Sequence, residues 1–276
     1  MKKYIYILIL FFCSVSFSND ELARQYEYAD KLFNDQNYFE AITEFKRLSF
    51  FDEKNVYAYE SNYKIGIAYK YGGFYDNSVF YLSHAIRTTE NIDERIQAEF
   101  QIVRCNILRK TTDRALQLLS QMEKDSVYSN HQNEIHYWKG WSYMISDRWD
   151  SAAESFANIS DDHELKILSE QVSNDKYSVT FARVISYILP GAGQFYTGNY
   201  LSGLMSLAWN VLWGYLTINS FIENRAFDGV AIGSLLWLRF YRGNIQNAEK
   251  LAVQKNIEIA NTALLYLMEN YRGEKP

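Results

Sequence analysis

Few residues in this chain combine the type and spacing that chemistry needs. His131, Glu134 and His136 come nearest to a metal-binding cluster. Two histidines share a helix face at a spacing of three or four, and these are five apart with no third ligand evident. Gly198 and Gly203 have the outer spacing of a phosphate-binding loop, but Leu204 stands where that loop needs lysine. Gly191 and Gly193 begin a dinucleotide fingerprint that Tyr196 ends. The acidic pairs Asp93–Glu94 and Asp161–Asp162 fall where helices should start, and carboxylates there favour the helix dipole. No acid, base and nucleophile converge on one segment, so the expectation is a protein that is not an enzyme, with no cofactor and no metal. The densest set of special residues is Pro190, Gly191, Gly193, Gln194, Tyr196, Gly198 and Gly203. Proline removes a backbone donor, glycine lets backbones approach, and Gln194 has an amide to offer the freed groups.

The elements that would position these residues are helices. The chain has 276 residues, 48% apolar and 17% aromatic, which is enough to build a core and excludes wholesale disorder. Two prolines exclude collagen-like and proline-rich classes. A net charge of −5 argues against nucleic acid as a partner, because phosphate binding needs a basic stripe. Cys13 and Cys105 are too few for a disulfide framework.

Residues 1–18 read as a signal peptide. Lys2 and Lys3 precede the apolar run Tyr4 to Phe12, and Ser16 and Ser18 flank a cleavage point before Asn19. Phe12 ahead of Cys13 disfavours a lipoprotein signal; an uncleaved anchor is the alternative. Either one predicts export.

From residue 19 to 175 the pattern repeats every 37 residues. Ala41, Ser78, Ala115 and Ala152 keep that spacing. Phe45, Leu82, Leu119 and Phe156 come four positions later, and Ala29, Gly66, Val103 and Gly140 twelve earlier, in the same phase. Asn106 and Thr112 break type in the third copy. Each copy shows helical apolar spacing on both sides of a polar turn, which predicts four helix pairs plus a capping helix. A helix pair cannot bury its apolar face alone, so the pairs must stack.

Segments such as "IGIAYKYGGFYDNSVFYLSHAI" and "WKGWSYMISDRWDSAAESFANI" resemble the tetratricopeptide repeat family, whose usual period is 34. The resemblance implies an all-α helical-hairpin solenoid that binds a protein or peptide. It places Tyr26, Phe33, Tyr63, Lys70, Tyr71, Phe100, Arg104, Tyr137 and Trp141 on the concave face. Rigid aromatics suit a partner groove. Alternatively, these side chains fill a tight superhelix or pack against the chain's own C-terminal helix.

Residues 178–241 form an apolar, glycine-rich segment. From Val184 to Ile222 there is no Asp, Glu, Lys, Arg or His. A helix ending near Leu189, a turn at "PGAGQ" and a helix from about Tyr200 to Ile222 are predicted. The last is long enough to cross a bilayer. A polar turn at Glu223 to Asp228 makes this a hairpin. Gly229 and Gly233 form a G-x-x-x-G pair suited to self-association in a membrane. A compact apolar domain in water and an interfacial hairpin are the alternatives, and two or three spans fit. Residues 244–271 read as an amphipathic C-terminal helix with Ala248, Leu251, Ile257, Ala260, Leu264, Leu267 and Tyr271 on one stripe.

"LPGAGQFYTGNYLSG" resembles the PGxGQxYxG motif of small bacterial membrane domains of uncharacterised function, and "YRGNIQNAEKLAVQKN" resembles the segment C-terminal to that motif in those domains. The joint reading is a scaffold or adaptor of the bacterial envelope, with periplasmic repeats tethered to the membrane. The competing reading is transport or small-ligand binding at the PGAGQFYTG turn.

Overall fold

A computed structural model describes residues 19–276; the predicted signal peptide and Cys13 lie outside the described residues. The described chain is helical, with no strand among those residues. Helices α1 (Asn19–Asn34), α2 (Tyr38–Phe51), α3 (Ala58–Tyr71), α4 (Tyr75–Thr88), α5 (Ile92–Leu108) and α6 (Thr112–Met122) come first. A 3₁₀ turn (Ser126–His131) leads to α7 (Gln132–Ile145) and α8 (Trp149–Ala157). Next come α9 (Glu164–Asp175), α10 (Val179–Ile188), the short α11 (Ala192–Tyr196), α12 (Tyr200–Ile222) and α13 (Ala226–Ile232). One π turn (Gly233–Trp237) joins α13 to α14 (Leu238–Asn270) without a break. The chain forms two compact units, one ending at Ser146 and the other running from Asp147 to Lys275. The division read between residues 175 and 178 lies inside the second unit, joining α9 to α10.

In the first unit each helix packs on its successor: α1 on α2, α2 on α3, α3 on α4, and onward to α7. The odd-numbered helices also touch in sequence, α1 with α3, α3 with α5 and α5 with α7. The small residues of the 37-residue pattern sit at the crossings. Ala29, Ala41, Phe45, Leu82, Val103, Ala115 and Leu119 are fully buried. A Cβ on Gly66 would lie 2.7 Å from Leu82 Cγ, so α3 meets α4 where only hydrogen fits.

The turns repeat as well. Gln36, Gly73, Lys110 and Asp147 all have positive φ, between 61° and 78°, at the 37-residue spacing. The amide after each of the first three returns to the helix just ended: Asn37 to Leu32, Phe74 to Tyr69 and Thr111 to Asn106, each N···O 2.9 Å. A left-handed residue closing a helix in this way satisfies its last carbonyls. Asn106, the type-breaking residue, is buried yet fully engaged. Its amide donates to Ile102 O at 2.7 Å, and its oxygen accepts from Arg109 at 2.8 Å and Thr111 Oγ1 at 3.0 Å.

In the second unit α8 packs on α9, and α10 and α11 pack on α14. Helix α12 runs antiparallel to α13 and the start of α14. Ser202 bonds Asn247, Trp209 stacks on Phe240, Gly214 faces Trp237, Thr217 faces Gly233 and Phe221 faces Gly229. The close approach that Gly229 and Gly233 allow, expected to serve a second copy, is filled by Phe221 and Thr217 of the same chain. The break expected between 241 and 244 is absent, because Gly243 is accommodated inside α14. The buried stripe of α14 is Ala248, Ala252, Ala260, Ala263 and Leu267, whereas Ile257 points outward.

Helix α12 is apolar outside and polar inside. Leu201, Leu204, Val211, Tyr215, Ile218 and Ile222 are exposed, while Gly203, Asn210, Gly214, Thr217 and Ser220 are buried. Its 23 residues make it long and apolar enough to cross a membrane.

His163 sets a pH dependence. Its Nδ1 accepts the Leu165 amide at 3.2 Å, capping α9, and its ring stacks on Phe156 at 5.0 Å. Burial lowers its pKa, with Glu164 partly opposing. A lowered folded-state pKa means that stability is intact above the unfolded value of about 6.5 and declines as pH falls through it. Urea unfolding of the wild type should therefore weaken more between about pH 7 and about pH 5 than that of His163→Asn, which caps without titrating. Parallel pH curves would refute this role.

Candidate functional site: the polar knot around Gln194 and Asn244

Pro190 has no backbone N–H and ends α10, so the turn behind it must satisfy its groups by other means. Gly191 comes next at φ +93°, and a Cβ there would fall 2.3 Å from Gly203 O. A Cβ on Gly193 would fall 2.3 Å from Ala182 O and 2.6 Å from Ala248 Cβ. These two glycines bring α10, α12 and α14 against the turn more closely than any side chain permits.

Polar groups complete the contact. Asn244 Oδ1 accepts from Gly191 N at 2.8 Å and from Gln194 Nε2 at 3.0 Å. The Gln194 amide also reaches Asn244 O at 3.0 Å and Ser206 Oγ at 3.3 Å. Asn244 Nδ2 donates to Ser186 O at 3.2 Å, and Ser186 Oγ accepts from Gly193 N at 3.0 Å. Gln194, Ser186 and Asn244 are all buried. Hydrogen bonds in such surroundings are strong, and leaving one unmade is costly.

The rest of the motif supports this knot. Tyr196 accepts the Ser178 amide at 3.1 Å and meets Tyr177 and Phe181 edge-on. Gly203 faces the Phe195 ring, and Gly198 turns the chain into α12 with open space beside it. Asn256 clamps Tyr177 through reciprocal bonds of 2.8 and 2.9 Å. The motif thus fastens α10, α12 and α14 together. Sequence reading found Gln194 but missed Asn244 and Ser186; polar residues flanked by apolar ones in "VISYI" and "GNIQNA" were the available signal.

The nine residues assigned to a concave face divide by burial. Phe100 and Trp141 are core, and Lys70 is buried with its ammonium 3.1 Å from Gln101 Oε1. Tyr71 is 63% exposed and stacks on Tyr38 at 5.2 Å. Tyr26, Phe33, Tyr63, Arg104 and Tyr137 are half-buried. Tyr26 stacks on Tyr57, Phe33 lies under the Lys64 ammonium at 4.6 Å, and Tyr63 stacks on Tyr59. The Arg104 guanidinium lies 4.8 Å from the Trp138 ring centre, and Tyr137 meets that ring edge-on. Burial raises the Tyr63 pKa, and the nearby Arg104 charge opposes it.

His131 pairs with Glu134 at 3.4 Å, while His136 turns to Glu123 at 3.9 Å. No group of three metal-binding side chains occurs among the described residues. Comparison with protein-family models, with curated proteins and with solved structures returns no match.

Asn244→Ala removes the acceptor for two buried donors, at a cost of about 1–3 kcal/mol each. The full-length protein should unfold at a clearly lower temperature, while Gly243→Ala, which meets open space, should not. An unchanged midpoint for Asn244→Ala would mean that the knot contributes nothing.

Proposed function

We propose that this protein is a non-enzymatic scaffold or adaptor of the bacterial envelope. A tetratricopeptide-like solenoid binds a protein or peptide, and an apolar hairpin anchors it in the membrane. Residues 1–18 direct export, which places the repeats on the periplasmic side.

The observation that carries this reading is the inverted polarity of α12. A helix at a soluble protein's surface turns its apolar stripe inward. Here Leu201, Leu204, Val211, Leu212, Ile218 and Ile222 face out while Asn210, Thr217 and Ser220 are buried. Exposed apolar side chains continue on α10, at Phe181, Val184, Tyr187, Ile188 and Leu189, and at Phe227, Val230 and Leu235. Apolar surface of this extent marks a membrane or partner contact. The buried serine and threonine hydroxyls bond their own helix, Thr217 to Trp213 O at 2.7 Å and Ser220 to Leu216 O at 2.8 Å, as a lipid-facing helix requires.

The scaffold part rests on the recurring helix pairs, their left-handed turns and the row of touching odd-numbered helices. That row presents Tyr71, Tyr63, Phe33 and Tyr26, rigid side chains that bind at low entropic cost. The motif at Pro190 to Gly203 directs its polar atoms into the fold, which suits an anchor better than a reaction centre.

Alkaline carbonate should leave the full-length protein in the membrane pellet. The variant Val211→Lys with Ile218→Lys should move to the supernatant, since each lysine costs about 3 kcal/mol at a helix centre. Wild type in the supernatant would overturn the anchor. A photo-reactive residue at Tyr71 should give a discrete adduct in cells, and one at the equally apolar, exposed Phe39 should not. Equal labelling at both would remove the groove.

A further inference from the structure

Beside the knot lies a cleft of about 680 Å³ between the first turns of α12 and the start of α14. Its lining is unlike the belt around it. Ser202, Ser206 and Asn210 come from one wall, and Arg239, Arg242 and Asn247 from the other. Three features point to one ligand chemistry.

The first is charge. Arg239 and Arg242 stand one turn apart and therefore share a face of α14. Among the described residues neither takes part in an ion pair. The acids at the far end of the helix pair are engaged by Arg225, and Glu258 is engaged by Lys255. Two unpaired guanidiniums at one cleft suit a phosphate, whose oxygens match their planar donor forks.

The second is a buried acceptor. Asn210 is 5% exposed, and its amide donates to Ser206 O at 2.8 Å. Its carbonyl oxygen has no partner among the described residues. A phosphodiester has no donor for that oxygen, whereas a glycerol hydroxyl beside it does.

The third is the apolar surroundings. Trp209 lines the cleft, stacked on Phe240 at 5.7 Å, and exposed apolar side chains of α12 flank it on both sides, Leu201 and Leu204 before it and Val211 to Ile222 after it. Tryptophan and two arginines set among such side chains put the cleft within reach of a lipid.

We infer that this cleft holds the headgroup of an anionic glycerophospholipid, its phosphate on Arg239 and Arg242 and its glycerol hydroxyls on Asn210 and the neighbouring serines. This rests on the membrane-anchor reading. Gly243, which also lines the cleft, leaves open space where a side chain would intrude.

The test uses the full-length protein in nanodiscs of phosphatidylcholine alone or doped with phosphatidylglycerol, with lipid retention read by native mass spectrometry. Wild type should retain phosphatidylglycerol over phosphatidylcholine, and Arg239→Gln with Arg242→Gln should weaken that preference about tenfold or more. Gly243→Leu, which favours the helix and fills the cleft, should abolish it without loss of fold. Equal retention of the two lipids, or retention unchanged in both variants, would overturn the headgroup site while leaving the anchor intact. Failure of the protein to enter pure phosphatidylcholine nanodiscs would instead overturn the anchor, and the site with it. Binding of glycerol 3-phosphate or inorganic phosphate as tight as that of the lipid would assign the cleft to a soluble phosphate and refute the lipid.

Discussion

The bond between Gly191 and the side chain of Asn244 is the constraint on which the second unit depends. Proline ends α10, and the chain must then reverse inside an apolar cluster where backbone groups need partners. A single asparagine on α14 supplies the acceptor, holds Gln194 with the same oxygen and fastens Ser186 with its amide. Three helices converge at these atoms. The glycines around them are a consequence, since the bonds are short only if backbone can approach backbone.

The first unit solves a different problem. Each helix pair has an apolar face and no partner of its own, so the next pair must cover it. The left-handed residues at 36, 73 and 110 set the angle at which each pair closes, and the small residues at 41, 78 and 115 set its depth. Only one of those turns uses glycine; Gln36 and Lys110 accept the strain of a positive φ because the next amide is locked to a carbonyl five residues back. The geometry is kept by the hydrogen bond, not by the residue type.

The same contrast separates what the sequence discloses from what it hides. The 37-residue period was readable because buried small residues tolerate little change in kind, and the ends of α12 were readable because polar turns bracket an uncharged run. Asn244 was hidden because its partners lie some fifty positions away, and nothing in a helical period reports a contact at that range. The continuity of α14 was hidden by Arg239, Arg242 and Gly243, which read as a boundary and proved to line a cleft. The burial of Trp141 and Phe100 beside exposed Tyr71 was hidden because spacing identifies a helix face but not how much of it the adjoining helix covers.

The unbroken run from Ala226 to Asn270 has a mechanical meaning. At 1.5 Å per residue it is a rod about 65 Å long, with one end in the apolar helix pair and α9 packed along the rest. No joint along it absorbs motion; the π turn at Gly233 to Trp237 alters the winding but keeps the backbone hydrogen-bonded. A tilt of a few degrees at the α13 end therefore becomes a displacement of several ångströms at the other. The second unit is built as a lever whose fulcrum is the knot at Asn244.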